Sequence, residues 1–134
     1  MIILKSIVLI LHEAVDNVLE RFVSLNSELN FLPEDQILRV ATDQSKVNPA
    51  LQGYTINARV GGDLNENNKL VKQALERVNR AVIVFTTFAG AGLGVLRKID
   101  FDVALVDEAS QITEPCGLIP LVKGIKRAVI VGDQ

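Results

Sequence analysis

Apolar residues follow two alternating patterns along the chain, short continuous runs and longer runs with helical spacing. The short runs, several of them rich in β-branched residues, predict buried strands at residues 6–11, 36–41, 81–87, 102–106 and 127–131. Apolar positions three and four residues apart predict amphipathic helices at residues 13–29 and 66–80, and a short helix is predicted within residues 112–122. Strands that alternate with helices predict an α/β fold with a mainly parallel sheet and helices on both faces.

The periodic pattern breaks down between residues 42 and 68. Asn, Asp, Gln and Gly dominate this segment, and two adjacent glycines, Gly61 and Gly62, stand in its middle. Such a composition predicts a long loop or a small insertion. A short strand is expected within it at residues 54–60.

Composition narrows the range of partners. The 134 residues carry 14 basic and 16 acidic side chains, so the formal charge is 14 − 16 = −2. A nearly neutral chain offers no basic stripe for gripping nucleic acid by charge alone. Aromatic residues make up 4% and Trp is absent, which argues against a base-stacking platform. Contacts to a phosphate backbone are therefore expected from a few loops and helix N-termini.

The sequence argues against an internal disulfide, a Cys/His metal site and an N-terminal membrane span. Cys116 has no second thiol for an internal disulfide, and His12 has no neighbouring Cys or His to complete a metal site. The apolar run at residues 1–11 is too short to span a bilayer. Its charged residue, Lys5, lies within the run, whereas a signal peptide has its charge before the apolar run. We therefore expect a buried strand there and an intracellular protein, cytoplasmic or nuclear.

Polar residues directly follow two of the predicted strands. Asp107 and Glu108 come after the strand at 102–106, and Gly132 and Asp133 come after the last strand. Ligands of parallel sheets bind beyond the carboxyl ends of the strands. One acid of the pair could hold Mg²⁺ and the other could orient a water. An acidic helix N-cap is the alternative for this pair, but the second polar group at the same edge favours the ligand site.

A glycine-rich turn, Gly90-Ala91-Gly92-Leu93-Gly94, follows the strand at 81–87. Such a turn also occurs in dinucleotide-binding folds, but Val95 stands where their third glycine would be. Residues 95–100 are too few for a crossover helix, which needs about 10 residues. The glycines are better interpreted as a loop that lets backbone approach something closely, such as a sugar-phosphate chain, with a plain tight turn as the alternative.

Several of these segments together resemble the superfamily 1 helicases related to the nonsense-mediated-decay helicase, the branch called superfamily 1B. Residues 107–115, with the sequence Asp-Glu-Ala-Ser-Gln-Ile-Thr-Glu-Pro, resemble helicase motif II. Residues 118–121 and 129–134 resemble the approach to motif III, and residues 86–92 resemble the family's Thr-Cys-x-Gly-Ala-Gly loop. Residues 14–21 resemble the end of motif Ia and its helix.

The resemblance implies a RecA-like P-loop NTPase fold and an ATP-driven motor that moves on single-stranded RNA or DNA. By position, Asp107 would coordinate Mg²⁺, Glu108 would activate water, and Gly132 and Asp133 would couple the nucleotide state to the strand. The residues implied along the nucleic-acid path are Thr87, Gly90 and Gly92, and in addition Asp16 and Asn17.

The sequence also departs from the family. These helicases bind ATP through Gly-x-x-Gly-Thr-Gly-Lys-Thr, and no Gly-Lys-Ser/Thr triplet occurs in the 134 residues. Residues 1–134 are therefore interpreted as a partial RecA-like domain 1A that lacks its first strand and its Walker A loop. The second RecA-like domain of these helicases is also interpreted as missing from these residues. Such a chain is expected to be inactive alone, because the phosphate cradle is required for binding and catalysis. The alternatives are a non-catalytic remnant that binds nucleic acid or protein, and a dinucleotide-binding domain.

Overall fold

A computed structural model describes residues 5–10, 14–41, 44–62, 68–87, 90, 94–96, 99–106, 125 and 127–130. These residues form five strands and three α-helices. The strands are β1 Ser6–Ile10, β2 Ile37–Arg39, β3 Ile83–Thr87, β4 Val103–Val106 and β5 Arg127–Ile130, and the helices are α1 Ala14–Leu29, α2 Ile56–Val60 and α3 Asn68–Arg80. All five predicted strands and both predicted long helices are confirmed, with ends shifted by a few residues. The helix predicted within residues 112–122 lies outside the described residues.

The five strands form one parallel sheet in the order β2-β3-β1-β4-β5. The central strand β1 pairs with β3 on one side and β4 on the other, with Ser6 opposite both Ile83 and Val103. Consecutive positions of β1, β2 and β3 are buried, so both faces of these strands are covered, which explains their continuous apolar runs. The predicted α/β class with a parallel sheet is confirmed.

Helix α1 covers one face of the sheet. Its Val15 and Leu19 are fully buried and pack in one cluster with Val8 of β1 and Phe85 of β3. The Phe22 ring lies 5.4 Å from the Phe85 ring in a tilted arrangement. The apolar side chains therefore occupy the face of α1 that its helical spacing predicts.

Helix α3 covers the opposite face. Ala74 and Val78 are fully buried against a cluster that includes Ile7 of β1 and Ala104 of β4. Alternation along β1 sends Ile7 to the α3 side and Val8 to the α1 side. The two helices thus cover the centre of the sheet from both faces.

The expected strand at residues 54–60 is wrong, because this segment is helical. A 3-10 helix spans Pro49–Tyr54 and α2 follows it. The Thr55 hydroxyl caps α2 by accepting a hydrogen bond from the Ala58 N–H at 3.2 Å, and Gly61 ends it in the left-handed conformation with φ 78°. The Thr55 cap and the left-handed Gly61 favour a helix here over the expected strand.

One face of the sheet edge at β4 and β5 is open among the described residues. Leu105 and Val129 lie opposite each other in the register and are 36% and 49% exposed. Their neighbours along β4, Ala104 and Val106, are buried on the α3 side. In the part of the chain that the structure describes, no helix is long and apolar enough to cross a membrane.

Candidate functional site

Four parallel strands end together at one edge of the sheet. Ile10 of β1 lies opposite Thr87 of β3, and Val106 of β4 lies opposite both Leu9 of β1 and Ile130 of β5. The last residues of these four strands therefore lie side by side. This carboxyl edge is where parallel α/β sheets bind ligands.

The predicted catalytic residues follow two of these neighbouring strand ends in the sequence. Asp107 comes directly after Val106, and Gly132 comes two residues after Ile130. Asp107, Glu108, Gly132 and Asp133 lie outside the described residues, as does Gly92 of the predicted nucleic-acid path.

Among the residues that the structure does describe, no group of three His, Cys, Asp or Glu side chains could hold a metal ion. The predicted Mg²⁺ ligand, Asp107, is not among them. Its role as a metal ligand stays a prediction.

The turn after β3 is held by side chains of the strand itself. The Gly90 N–H donates to the Thr87 hydroxyl at 3.0 Å, which closes the turn. A Cβ on Gly90 would collide with Thr86 Oγ1 and come within 3.2 Å of Thr87 Oγ1. A side chain at Gly90 would therefore have to displace Thr86 of its own strand, and the predicted approach of this loop to a sugar-phosphate chain stays a prediction.

Thr86 connects this turn to the end of β2. Its side chain is fully buried, and its hydroxyl donates to the Val40 carbonyl at 2.9 Å. The Val40 N–H in turn donates to the Phe85 carbonyl at 3.0 Å. Sequence analysis gave Thr86 no role, although a hydroxyl directly after a buried apolar run was a signal that an acceptor must lie nearby.

Asp16 lies in the first turn of α1 and is almost fully buried. One carboxylate oxygen accepts from Arg39 Nε at 3.0 Å, and the other accepts from the Asn48 N–H at 2.8 Å. These bonds give Asp16 an internal structural role, and its predicted place on the nucleic-acid path stays a prediction. Asn17, the next residue, is exposed at the same end of α1.

Arg39 is a buried charged residue to which the sequence analysis assigned no role. It stands in the apolar run Ile37-Leu38-Arg39-Val40 and is only 5% exposed. Besides its bond to Asp16, its Nη1 donates to the Val40 carbonyl at 2.7 Å. A lone charge inside a buried strand was the available signal, because such a charge must find a partner of opposite sign.

A second cation, Lys5, lies at the opposite edge of the sheet. Its Nζ donates to the Val78 carbonyl and, at 3.1 Å, to the Ala81 carbonyl at the end of α3. Its backbone N–H donates to Asp102 Oδ2 at 3.0 Å. Burial lowers the pKa of Lys5 from its usual 10.5, and the nearby Asp102 carboxylate opposes that change. This cluster closes a helix end and is separated from the carboxyl edge by the length of the sheet.

Comparison with known proteins identifies one family and several helicases that are similar to this chain in sequence. The AAA domain family matches residues 63–134. The DNA replication ATP-dependent helicase/nuclease DNA2 of Homo sapiens is 35% identical over 125 residues, which cover 92% of this chain and 10% of that protein. The regulator of nonsense transcripts 1 homolog of Neurospora crassa is 30% identical over 112 residues, covering 82% of this chain and 10% of that protein.

A shorter alignment reaches higher identity. The ATP-dependent helicase NAM7 of Saccharomyces cerevisiae is 43% identical over 69 residues, which cover 49% of this chain and 7% of that protein. The chain thus spans about a tenth of the length of these relatives. With its parallel RecA-like sheet and these matches, the chain belongs to the AAA domain family, among the superfamily 1 helicases related to the nonsense-mediated-decay helicase.

Proposed function

We propose that this chain forms part of the first motor domain of an ATP-dependent nucleic-acid helicase. The observation that carries the proposal is the pairing of Val106 with Ile130, because the two segments with the predicted catalytic acids begin at these neighbouring positions. Two polar segments that start side by side at the carboxyl edge suit a single nucleotide site. The family relationship supports the same activity.

The catalytic roles follow from the chemistry of phosphoryl transfer. Bound Mg²⁺ neutralises charge on the β- and γ-phosphates of ATP. Asp107 would hold this ion, because a hard cation prefers one or two carboxylates. Glu108 would orient the attacking water and accept its proton, and Gly132 with Asp133 would couple the state of the nucleotide to the nucleic acid.

The nucleic-acid path would run along the ends of β1 and β3. The turn at Thr87, Gly90 and Gly92 and the start of α1 at Asn17 would contact single-stranded RNA or DNA, with Asp16 supporting that end of α1 from within. A chain with net charge −2 needs such loop contacts, since general electrostatic attraction is weak. A second RecA-like domain would complete the site, in a cytoplasmic or nuclear protein.

A chimera tests the catalytic assignment. These 134 residues would replace the aligned 125-residue segment of the human helicase/nuclease, which supplies the elements that this chain does not contain. We expect DNA-dependent ATP hydrolysis that Glu108→Gln lowers by about 100-fold or more, because general base catalysis contributes that much. Glu28→Gln, on the exposed side of α1, is the matched control and should hydrolyse ATP normally.

Two outcomes would count against the catalytic roles. Normal hydrolysis by the Glu108→Gln chimera would remove Glu108 as the base. Unchanged Mg²⁺ dependence in an Asp107→Asn chimera would remove Asp107 as the metal ligand. If the chimera does not fold, the isolated chain supplies a second measurement, and we expect no Mg²⁺-dependent ATPase from it, because its 134 residues contain no Walker triplet.

A further inference from the structure

We infer that Arg39 is a positioning residue that holds the start of α1 and the turn after β3 at a fixed separation, so that one nucleic-acid strand contacts both. The inference rests on the proposed function, because both segments were assigned to the nucleic-acid path. It adds a residue that has no place in the predicted site. Arg39 acts through its neighbours and does not itself touch the strand.

The first arm of the connection runs from Arg39 to α1. Arg39 Nε donates to Asp16 at 3.0 Å, and the second oxygen of Asp16 accepts from the Asn48 N–H at 2.8 Å. Asp16 precedes Asn17, which is exposed in the first turn of α1. A charged pair with both carboxylate oxygens bonded fixes the height and rotation of this helix end relative to β2.

The second arm runs from Arg39 to the turn after β3. Arg39 Nη1 donates to the Val40 carbonyl at 2.7 Å, and the Thr86 hydroxyl donates to the same oxygen at 2.9 Å. Thr86 lies directly under Gly90, whose close packing leaves no room for a Cβ. The Val40 carbonyl is therefore a shared acceptor that joins the guanidinium to the base of the turn.

Burial and shape make arginine suited to this task. Arg39, Asp16 and Thr86 are 5%, 8% and 0% exposed, so no solvent separates the members of the connection. The rigid guanidinium fork donates in two directions at once, whereas a lysine ammonium is a point charge on a flexible stem. The buried guanidinium already donates to protein acceptors. Contacts to phosphate groups are therefore expected from exposed residues and not from Arg39.

The test measures affinity of the full 134-residue chain for fluorescein-labelled oligo(dT) and oligo(U) by anisotropy, under conditions where each variant is folded by circular dichroism. We expect Arg39→Lys to keep the charge but lose one arm, and to raise Kd by about fivefold or more, within the range of typical coupling effects. The slope of log Kd against log salt should not change, because no phosphate contact is lost. Lys5→Met is the control, a half-buried cation at the far edge whose loss should leave Kd unaltered.

A second variant keeps the inference testable if Arg39→Lys does not fold. Thr86→Val removes only the hydroxyl bond to the Val40 carbonyl and leaves the ion pair intact, and it should also raise Kd. Equal affinity of the unmodified chain and both folded variants would overturn the inference alone. A salt slope reduced by about one in Arg39→Lys would overturn it too, because it would make Arg39 a direct phosphate contact. Absence of binding by the unmodified chain would overturn the nucleic-acid part of the proposed function, and the inference with it.

Discussion

The two ends of the parallel sheet each contain a buried or half-buried cation, but the two cations are held in different ways. Arg39, at the carboxyl edge, is 5% exposed. Its Nε donates to the Asp16 carboxylate and its Nη1 donates to the Val40 carbonyl. Lys5, at the amino edge, is half-buried, donates to two carbonyls at the end of α3, and has its Nζ 5.9 Å from the centre of the Phe101 ring.

The difference indicates that the carboxyl edge depends on the charge of Arg39 more than the amino edge depends on the charge of Lys5. Removing Lys5 leaves carbonyls at a helix end that water can reach, since the site is only half-buried. Removing Arg39 leaves the Asp16 carboxylate buried, with the Asn48 N–H as its remaining described partner. The carboxyl edge, where ligands of such sheets bind, is therefore the end with the more demanding polar network.

The largest effect is expected from breaking the buried pair. Arg39→Met should lower the free energy of unfolding by about 3–5 kcal/mol, because it leaves an uncompensated buried carboxylate. The double variant Asp16→Leu with Arg39→Met should recover most of that loss, since neither charge then needs a partner. Urea unfolding followed by circular dichroism measures both. Similar stabilities for Arg39→Met and the unmodified chain would mean that the pair is solvated and that the contrast between the two edges is wrong.

A smaller effect is expected from the turn that Thr86 supports. Gly90→Ala should destabilise the chain by about 1–3 kcal/mol, because its methyl group must displace the Thr86 hydroxyl. Combining it with Thr86→Ala should cost less than the sum of the two single changes, since the collision is removed. A thermal-unfolding double-mutant cycle measures this coupling. Strict additivity would show that the two residues do not touch.

The smallest effect is expected at the amino edge, and it should depend on pH. Lys5→Met should cost about 1 kcal/mol near neutral pH through lost hydrogen bonds. The folded pKa of Lys5 lies below 10.5, so between that lowered value and 10.5 the unfolded chain binds more protons. The unmodified chain should therefore gain stability relative to Lys5→Met as pH rises through this window.

Urea unfolding of both chains across this pH range measures the difference. Tyr54, whose pKa is raised mainly by burial, is present in both proteins, so its contribution cancels. A stability difference that stays flat or falls with rising pH would contradict a desolvated lysine at this edge.

Most of the fold could be predicted from the sequence because strands and helices differ in the spacing of their apolar residues. The continuous runs around Val8 and Val84 and the helical spacing of α1 and α3 identified the elements and the α/β class. The segment at residues 54–60 could not be predicted this way. Its helix depends on the Thr55 cap and on the left-handed Gly61, and the apolar positions of five residues do not distinguish a helix from a strand.

The candidate site was predictable only in outline. Strand ends followed by Asp107 and by Gly132 indicated the carboxyl edge, because chain order and parallel pairing suffice to place segments there. The bonding partners of Arg39 and Thr86 were not predictable, because Asp16 and Val40 are 23 and 46 residues away from them in the chain. Only folding brings such distant groups within hydrogen-bonding distance.

The sequence alone determined the class of fold, the family and the identity of the acids that follow the strands, because these depend on local patterns and on chain order. The tertiary structure decided which strands are neighbours and why Gly90 has no room for a side chain. It also decided that Arg39 bonds Asp16 of α1 and the Val40 carbonyl, an oxygen that the Thr86 hydroxyl of β3 shares. Those properties depend on distances between segments far apart in the chain, and local spacing carries no information about such distances.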